Sequence, residues 1–278
     1  DIPNLDGQLM PGLEPKGVPR GLEGTAKPFD ANSIESLVEK IRGEEKKIAA
    51  IIIEPARGEA ASIDYLKDLK ELANDIGSVL IFDEITSGFR MCAGGIHRVY
   101  GVNPDIAVFA KSIANGYPMS VVIGTEEVMQ AAQKTFISST NWTDRIGPTA
   151  ALATLKKYQR ESVDKHIIEI GDLVKDVWQK RADEYKLKIN ISGLPTLASF
   201  SFESSYANEL NTLFTIEMLK EGFLGWRQFK PSYAHSKKII DQYSLSVKKV
   251  FKAISEDPKG KRLDTPKHHS GFQRLTKE

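Results

Sequence analysis

The first 32 residues carry no apolar period. Pro3, Pro11, Pro15, Pro19 and Pro28 alternate with Gly7, Gly12, Gly17, Gly21 and Gly24, a punctuation that predicts irregular chain. Periodicity begins at Ile34, Leu37, Val38 and Ile41, one helical stripe closed by Gly43. Ile48 to Ile53 is then a continuous apolar run that stops at Glu54-Pro55, as expected of a strand covered on both faces. Leu66, Leu69, Leu72, Ala73 and Ile76 form a second helical stripe, stopped by Gly77. Val79 to Phe82 reads as a second buried strand ending at Asp83, Ile106 to Phe109 as a third ending before Lys111, and Val121 to Ile123 as a fourth. Short buried strands alternating with helices imply crossover connections and a mostly parallel α/β sheet.

From Thr149 to Tyr185 the pattern is helical, with Leu152, Leu155, Ile167, Ile170, Val174 and Val177 at apolar positions. Leu187 to Ile191 and Leu197 to Phe202 read as strands, Asn208 to Leu219 and Lys237 to Ile254 as helices. The expected organisation is part of a large domain over 1–150, a connecting helical segment over 151–186, a small C-terminal α+β domain over 187–255 and a flexible tail over 256–278.

Composition narrows the function classes. Hydrophobic residues make up 41% and charged residues 27% of the 278, an ordinary globular balance. Lys plus Arg is 38 against 37 Asp plus Glu, so no nucleic-acid partner is expected. A single cysteine, Cys92, leaves no intrachain disulfide framework and suggests a reducing, cytoplasmic home. The apolar runs are too short to span a bilayer as helices, and no membrane partner is expected. The five histidines show no metal-ligand spacing beyond an adjacent pair at 268–269.

In open α/β sheets ligands bind beyond the carboxyl ends of the strands. Glu54, Asp83 and Lys111 fall at or just past those ends. Asp83 suits a helix cap, a partner for Arg90, or an acid facing a cationic ligand. Lys111 suits a solvated edge or, partly desolvated, an amine that forms a Schiff base. Pyridoxal phosphate needs such an amine together with an acid near its pyridine nitrogen.

Three stretches, FDEITSGFR, YGVNPDIAVFAKSIANGYPMSVVIG and STNWTDRIGPTAALATL, together resemble the class III aminotransferases of pyridoxal-phosphate fold type I. IIIEPARGEA, LMPGLEPKGVPRG and FKPSYAHS extend the resemblance over about residues 9 to 254, and its nearest branch looks like glutamate-1-semialdehyde aminomutase. The resemblance implies an α/β large domain, here incomplete, with a mostly parallel sheet, plus a small C-terminal α+β domain. It implies pyridoxal 5'-phosphate bound through Lys111, with Asp83 at the pyridinium nitrogen and Ile85 against the ring. Thr140 falls where the family reaches the phosphate of the neighbouring subunit's cofactor, which implies a homodimer with shared active sites. Glu59 matches a glutamate that gates a substrate-binding arginine in some members, and Arg57 stands where many have Gln or a small residue. Arg227 and His235 are weaker candidates, and His97 is expected at the surface.

The implied activity is transfer of an amino group from an amino acid donor to a carbonyl acceptor. A 2,1-aminomutase, or a non-catalytic fragment or subunit of the family, are the alternatives. Members run well beyond this length, and the chain is expected to lack an N-terminal part that holds the cofactor phosphate. A sheet without its first βα units would expose apolar edges and faces, so the chain alone is expected to be poorly stable and to need a partner piece.

Overall fold

The computed structural model describes residues 16–56, 60–141 and 143–268. The first long helix, α1 (Ile34–Ile41), starts where the Ser33 hydroxyl accepts the Ser36 amide hydrogen and satisfies one orphan N–H. Strand β1 (Ala50–Ile53) leads to α2 (Ile63–Ile76), capped by Ser62 and ended by Gly77 in the left-handed region at φ +75°. Strand β2 (Val79–Asp83), the short α3 (His97–Tyr100), β3 (Ile106–Phe109), β4 (Val121–Gly124) and α4 (Glu126–Gln130) follow. Then come α5 (Ile146–Arg160), α6 (Val163–Glu184), β5 (Ile189–Ser192), β6 (Ala198–Phe202), α7 (Ala207–Lys220), β7 (Gln228–Phe229) and α8 (Lys237–Glu256).

The first four strands form one sheet in the order β1-β2-β3-β4. The first three are parallel, as the alternation predicts. The fourth lies where the sequence puts a strand but runs antiparallel to β3. The chain between Phe109 and Val121 is too short for a helical crossover, so it turns back.

Pairing of Ile51 with Leu80, Ile53 with Phe82, and Phe82 with Ala107 sets the alternation of the two faces. Ile51, Ile53, Leu80 and Phe82 point to one face and pack with Leu37, Ile41, Leu66 and Leu69 of α1 and α2. Ala107 and Phe109 continue that face against Ala151 of α5. The opposite face carries Ile52, Ile81, Val108 and Val122, with Asp83 at its carboxyl end. On it Ile52 is 61% and Val122 51% exposed, so an apolar sheet face lies open as expected.

The second body is a β5-β6-β7 antiparallel sheet packed with α6, α7 and α8. Trp178, Phe200, Phe214, Met218 and Phe251 fill its core. The Trp178 indole donates to the Tyr243 hydroxyl at 2.8 Å, so the ring is buried without an orphan N–H. At Gly171 a Cβ would stand 2.0 Å from the Pro195 carbonyl oxygen. Backbone contact that close leaves nothing flexible to give way. Gly171→Ala is expected to cost about 2 kcal/mol or more by overpacking, read as a lower urea midpoint at unchanged slope.

Three details differ from the pattern reading. The helical run over 149–185 is broken, because Ser162 takes φ +49° between α5 and α6 and its carbonyl accepts the His166 amide. Two amphipathic helices in succession keep the same apolar period, which hides the break. Strand β7 is two residues long, too short to show alternation. The start of the expected flexible tail is docked: Asp257 accepts the Lys261 and Arg262 amides, Leu263 packs on the second core and Lys267 pairs with Glu209 of α7. No helix among the described residues is long and apolar enough to cross a membrane.

Candidate functional site

The carboxyl ends of β2 and β3 carry the candidate residues Asp83 and Lys111. Asp83 closes β2, paired with Val108, and its Oδ1 accepts the Ile85 amide at 2.9 Å. That bond turns the chain sharply out of the sheet, as Asp does locally. Oδ2 has no partner among the described residues. Asp83 makes no ion pair with Arg90, whose Nε donates instead to the Thr86 carbonyl at 2.6 Å. Burial holds the Arg90 guanidinium below its ordinary pKa, and Tyr158 works the other way.

Glu84 anchors the turn from beneath. It is fully buried and accepts from Ser87 Oγ at 2.6 Å, the Ile96 amide at 3.0 Å and the His97 amide at 3.0 Å. His97 Nδ1 completes the set at 2.9 Å. Burial alone would raise the Glu84 pKa, but the bonds from His97, Ser87 and Ile96 outweigh it and hold the carboxyl below its usual 4.5. Gly95 makes the approach possible, since a Cβ there would stand 2.6 Å from Glu84 Oε1. His97 is therefore a mostly covered partner of Glu84, its side chain only 12% exposed, and not the surface residue expected. A lone polar residue after a glycine pair gives no sign of a partner 13 positions upstream.

Lys111 follows β3 at φ +46°, a left-handed conformation rare for a side-chain-bearing residue. Its Nζ donates to Thr86 Oγ1 at 2.9 Å. Thr86 is thus held through its carbonyl by Arg90 and holds the lysine amine through its hydroxyl. It was missed in the sequence, where a threonine inside a turn has an ordinary local explanation. Thr86→Val is expected to free the amine and slow its condensation with an added aldehyde about tenfold, the worth of one bond to a charged donor. Stopped-flow absorbance checks this, with Thr86→Ser near the parent rate.

A cleft of about 960 Å³ opens beside Lys111. Its walls are the loop after the lysine (Ser112 to Pro118), α5 through Thr154 and Lys157, and the segment Lys230 to Ala234. Ile85 is half-buried beside Asp83, and neither lines the cleft. Thr140 lies exposed in a turn, also away from it. Arg57 and Glu59 lie outside the described residues. Arg227 stacks near the Trp226 ring instead of lining the cleft. His235 accepts from Ser232 through Nδ1, and its carbonyl meets His166 Nε2 at 2.8 Å, which fixes the Lys230–Ala234 wall. The residues fit a ring held between an amine and an acid: Lys111 and Asp83 stand on neighbouring parallel strand ends.

The aminotransferase class-III family matches residues 18–245. A 3-aminobutyryl-CoA aminotransferase of Cloacimonas acidaminovorans is 29% identical over 84% of this chain and 61% of its own length. A glutamate-1-semialdehyde 2,1-aminomutase of Sulfurihydrogenibium azorense is 25% identical over 86% of this chain and 61% of its own. The chain thus spans about 60% of the length of these relatives. Among solved structures, the FumI protein of Sphingopyxis sp. MTA144 in its pyridoxal-phosphate internal aldimine form superposes with a TM-score of 0.79 at 20% identity. It matches 84% of this chain and 59% of its own. An omega-transaminase from Sphaerobacter thermophilus gives 0.76 at 20% identity, over 85% and 59%. These likenesses establish the fold.

Proposed function

This chain belongs to the class-III aminotransferase family, and from that premise we propose that it is the cofactor-binding part of a pyridoxal-phosphate enzyme that moves an amino group from an amino acid to a carbonyl acceptor. The observation that carries the reading is the Lys111–Thr86 bond beside Asp83, at adjoining ends of two parallel strands. Pyridoxal phosphate would supply an electron-withdrawing ring that makes the α proton of a bound amino acid removable. Lys111 would hold it covalently, Asp83 would keep its ring nitrogen protonated and Ile85 would pack against one side. Once displaced by an amino donor, Lys111 Nζ is the base that takes and returns the α proton. Thr86 would hold that amine in place while it is free, within a turnover. Thr140, exposed and away from the cleft of its own chain, suits a contact across a homodimer, as the family resemblance implies. Arg57 and Glu59 are proposed as substrate contacts on the resemblance alone. A cytoplasmic home rests on the single cysteine, Cys92.

The open sheet face fits a covering piece, either in the same polypeptide or in another, because an apolar face with Ile52 and Val122 exposed is unstable in water. The experiment titrates the chain with pyridoxal phosphate, records the visible band, and adds glutamate with and without a keto acid. Bleaching by glutamate and recovery on keto acid supports transfer. Isomerisation of an amino-aldehyde without any acceptor favours the mutase. A band that no amino donor alters supports the non-catalytic alternative.

A further inference from the structure

Arg90 carries a charge that its surroundings do not answer. Its Nε donates to the Thr86 carbonyl at 2.6 Å, while its two terminal nitrogens make no hydrogen bond among the described residues. No carboxylate pairs with it there, and no Asp or Glu lines the cleft to which it contributes. Its charged neighbour in waiting, Tyr158, stays neutral, because burial pushes that hydroxyl's pKa up. A half-buried guanidinium with one neutral acceptor is costly, since only an opposite charge offsets its lost hydration. The other cations of the cleft are engaged. Lys157 lies over the Tyr233 ring at 5.1 Å and, after Arg160, helps to hold the Glu161 carboxyl below its usual range. Lys230 is engaged as well. One unanswered charge calls for one carboxylate.

The geometry places that carboxylate near the reacting amine. Thr86 accepts from Arg90 through its carbonyl and from Lys111 Nζ through its hydroxyl at 2.9 Å. The route crosses a single residue, so Arg90 Nε and Lys111 Nζ stand at most roughly 10 Å apart. A carboxylate a few bonds from a carbonyl carbon spans that interval. Phe89 and Tyr158 line the same cleft, their rings edge to face with centroids 6.2 Å apart, and the Tyr158 hydroxyl is fixed on the Cys92 carbonyl at 3.0 Å. Apolar walls of this kind strengthen a bond between a planar guanidinium fork and a carboxylate. Phe89 and Lys111 both take left-handed backbone angles, φ +58° and +46°, a strain that concentrates where ligands are held.

We propose that Arg90 is a specificity-determining residue of this site, its terminal nitrogens holding one carboxylate of the substrate while the carbonyl end meets Lys111. The proposal rests on Lys111 being the reactive amine, and it names a contact distinct from Arg57 and Glu59. Because the same guanidinium also supports Thr86, the docked carboxylate and the amine share one support.

Two aldehydes of equal size test it on the full chain without cofactor: 4-oxobutanoate, and 4-methylpentanal, in which an isopropyl group replaces the carboxylate. Each condenses with a free lysine amine, the carbonyl oxygen leaving as water. Cyanoborohydride then fixes the imine as a secondary amine that mass spectrometry locates. At Lys111 the carboxylate aldehyde should label about tenfold faster or more than the neutral one, with the two alike on Lys156, an exposed lysine outside the cleft. Arg90→Met should lower both rates at Lys111, because Thr86 loses a support, and should also bring their ratio down to that at Lys156. A purely structural role for Arg90 would lower the rates and leave the ratio high, which would overturn the proposal. A ratio lost in Lys157→Met and kept in Arg90→Met would overturn it too. So would a preference for pyridoxal phosphate over pyridoxal that disappears in Arg90→Met, because the fork would then serve the cofactor's phosphate. Labelling of Lys111 by neither aldehyde would sink the lysine reading, and arginine chemistry then reads the fork by itself. Butyrate should protect Arg90 from phenylglyoxal and butanol should not; equal or absent protection overturns the proposal.

Discussion

Lys111→Ala is expected to abolish the visible band with pyridoxal phosphate and to lower amino transfer by the assembled enzyme about 10³-fold or more. The loss follows from two roles in one atom. In the proposed function Nζ would be the covalent attachment point and then the proton carrier, and it stands at a strand end next to the one that carries Asp83. Lys111→Arg should fail equally, because a guanidinium keeps the charge but cannot condense at neutral pH. Steady-state rates and absorbance on both variants check this. Substantial transfer by either one would mean that the reactive amine lies elsewhere.

Glu84→Ala should be the most destabilising single change in the turn, at about 4 kcal/mol. It strands two backbone amides, a serine hydroxyl and an imidazole in a buried place, each losing its acceptor. The pH dependence has a definite sign. The folded carboxyl lies below its usual 4.5, so its contribution is complete above that value and disappears as pH falls through the folded pKa. Denaturant midpoints between pH 7 and pH 3 should therefore fall less steeply with acid in Glu84→Ala than in the parent. Parallel curves would assign the acid sensitivity to other groups. Because this turn carries Asp83, Ile85 and Thr86, its loss should also weaken pyridoxal binding.

The fold was legible where period and punctuation agreed. The strand read over Val79 to Phe82, ending at Asp83, and the one over Ile106 to Phe109 match the observed β2 and β3, and Gly77 marks the true end of α2. The reversed direction of β4 depends on loop length more than on its apolar residues. The break at Ser162 is a single backbone angle that leaves the apolar stripe intact. For the site, strand ends drew attention to Asp83 and Lys111, because polar residues are costly there without a partner. Glu84, Thr86 and Lys157 were not visible. Their meaning comes from contacts across 13, 25 and 76 positions, and alternation along one strand carries no such information. The role proposed for Thr140 rests on the family resemblance alone, since its exposed turn by itself would not suggest one.

The open face at Ile52 and Val122 gives these results a common setting: Asp83 of the proposed site stands on the same uncovered face of the sheet. The most direct test of the central claim is to incubate the chain with pyridoxal phosphate, reduce with borohydride, digest, and locate the modified lysine by mass spectrometry. The account predicts near-stoichiometric labelling of the peptide that contains Lys111, and little on the other lysines. Label spread evenly over surface lysines, with Lys111 no more modified than the rest, would contradict it.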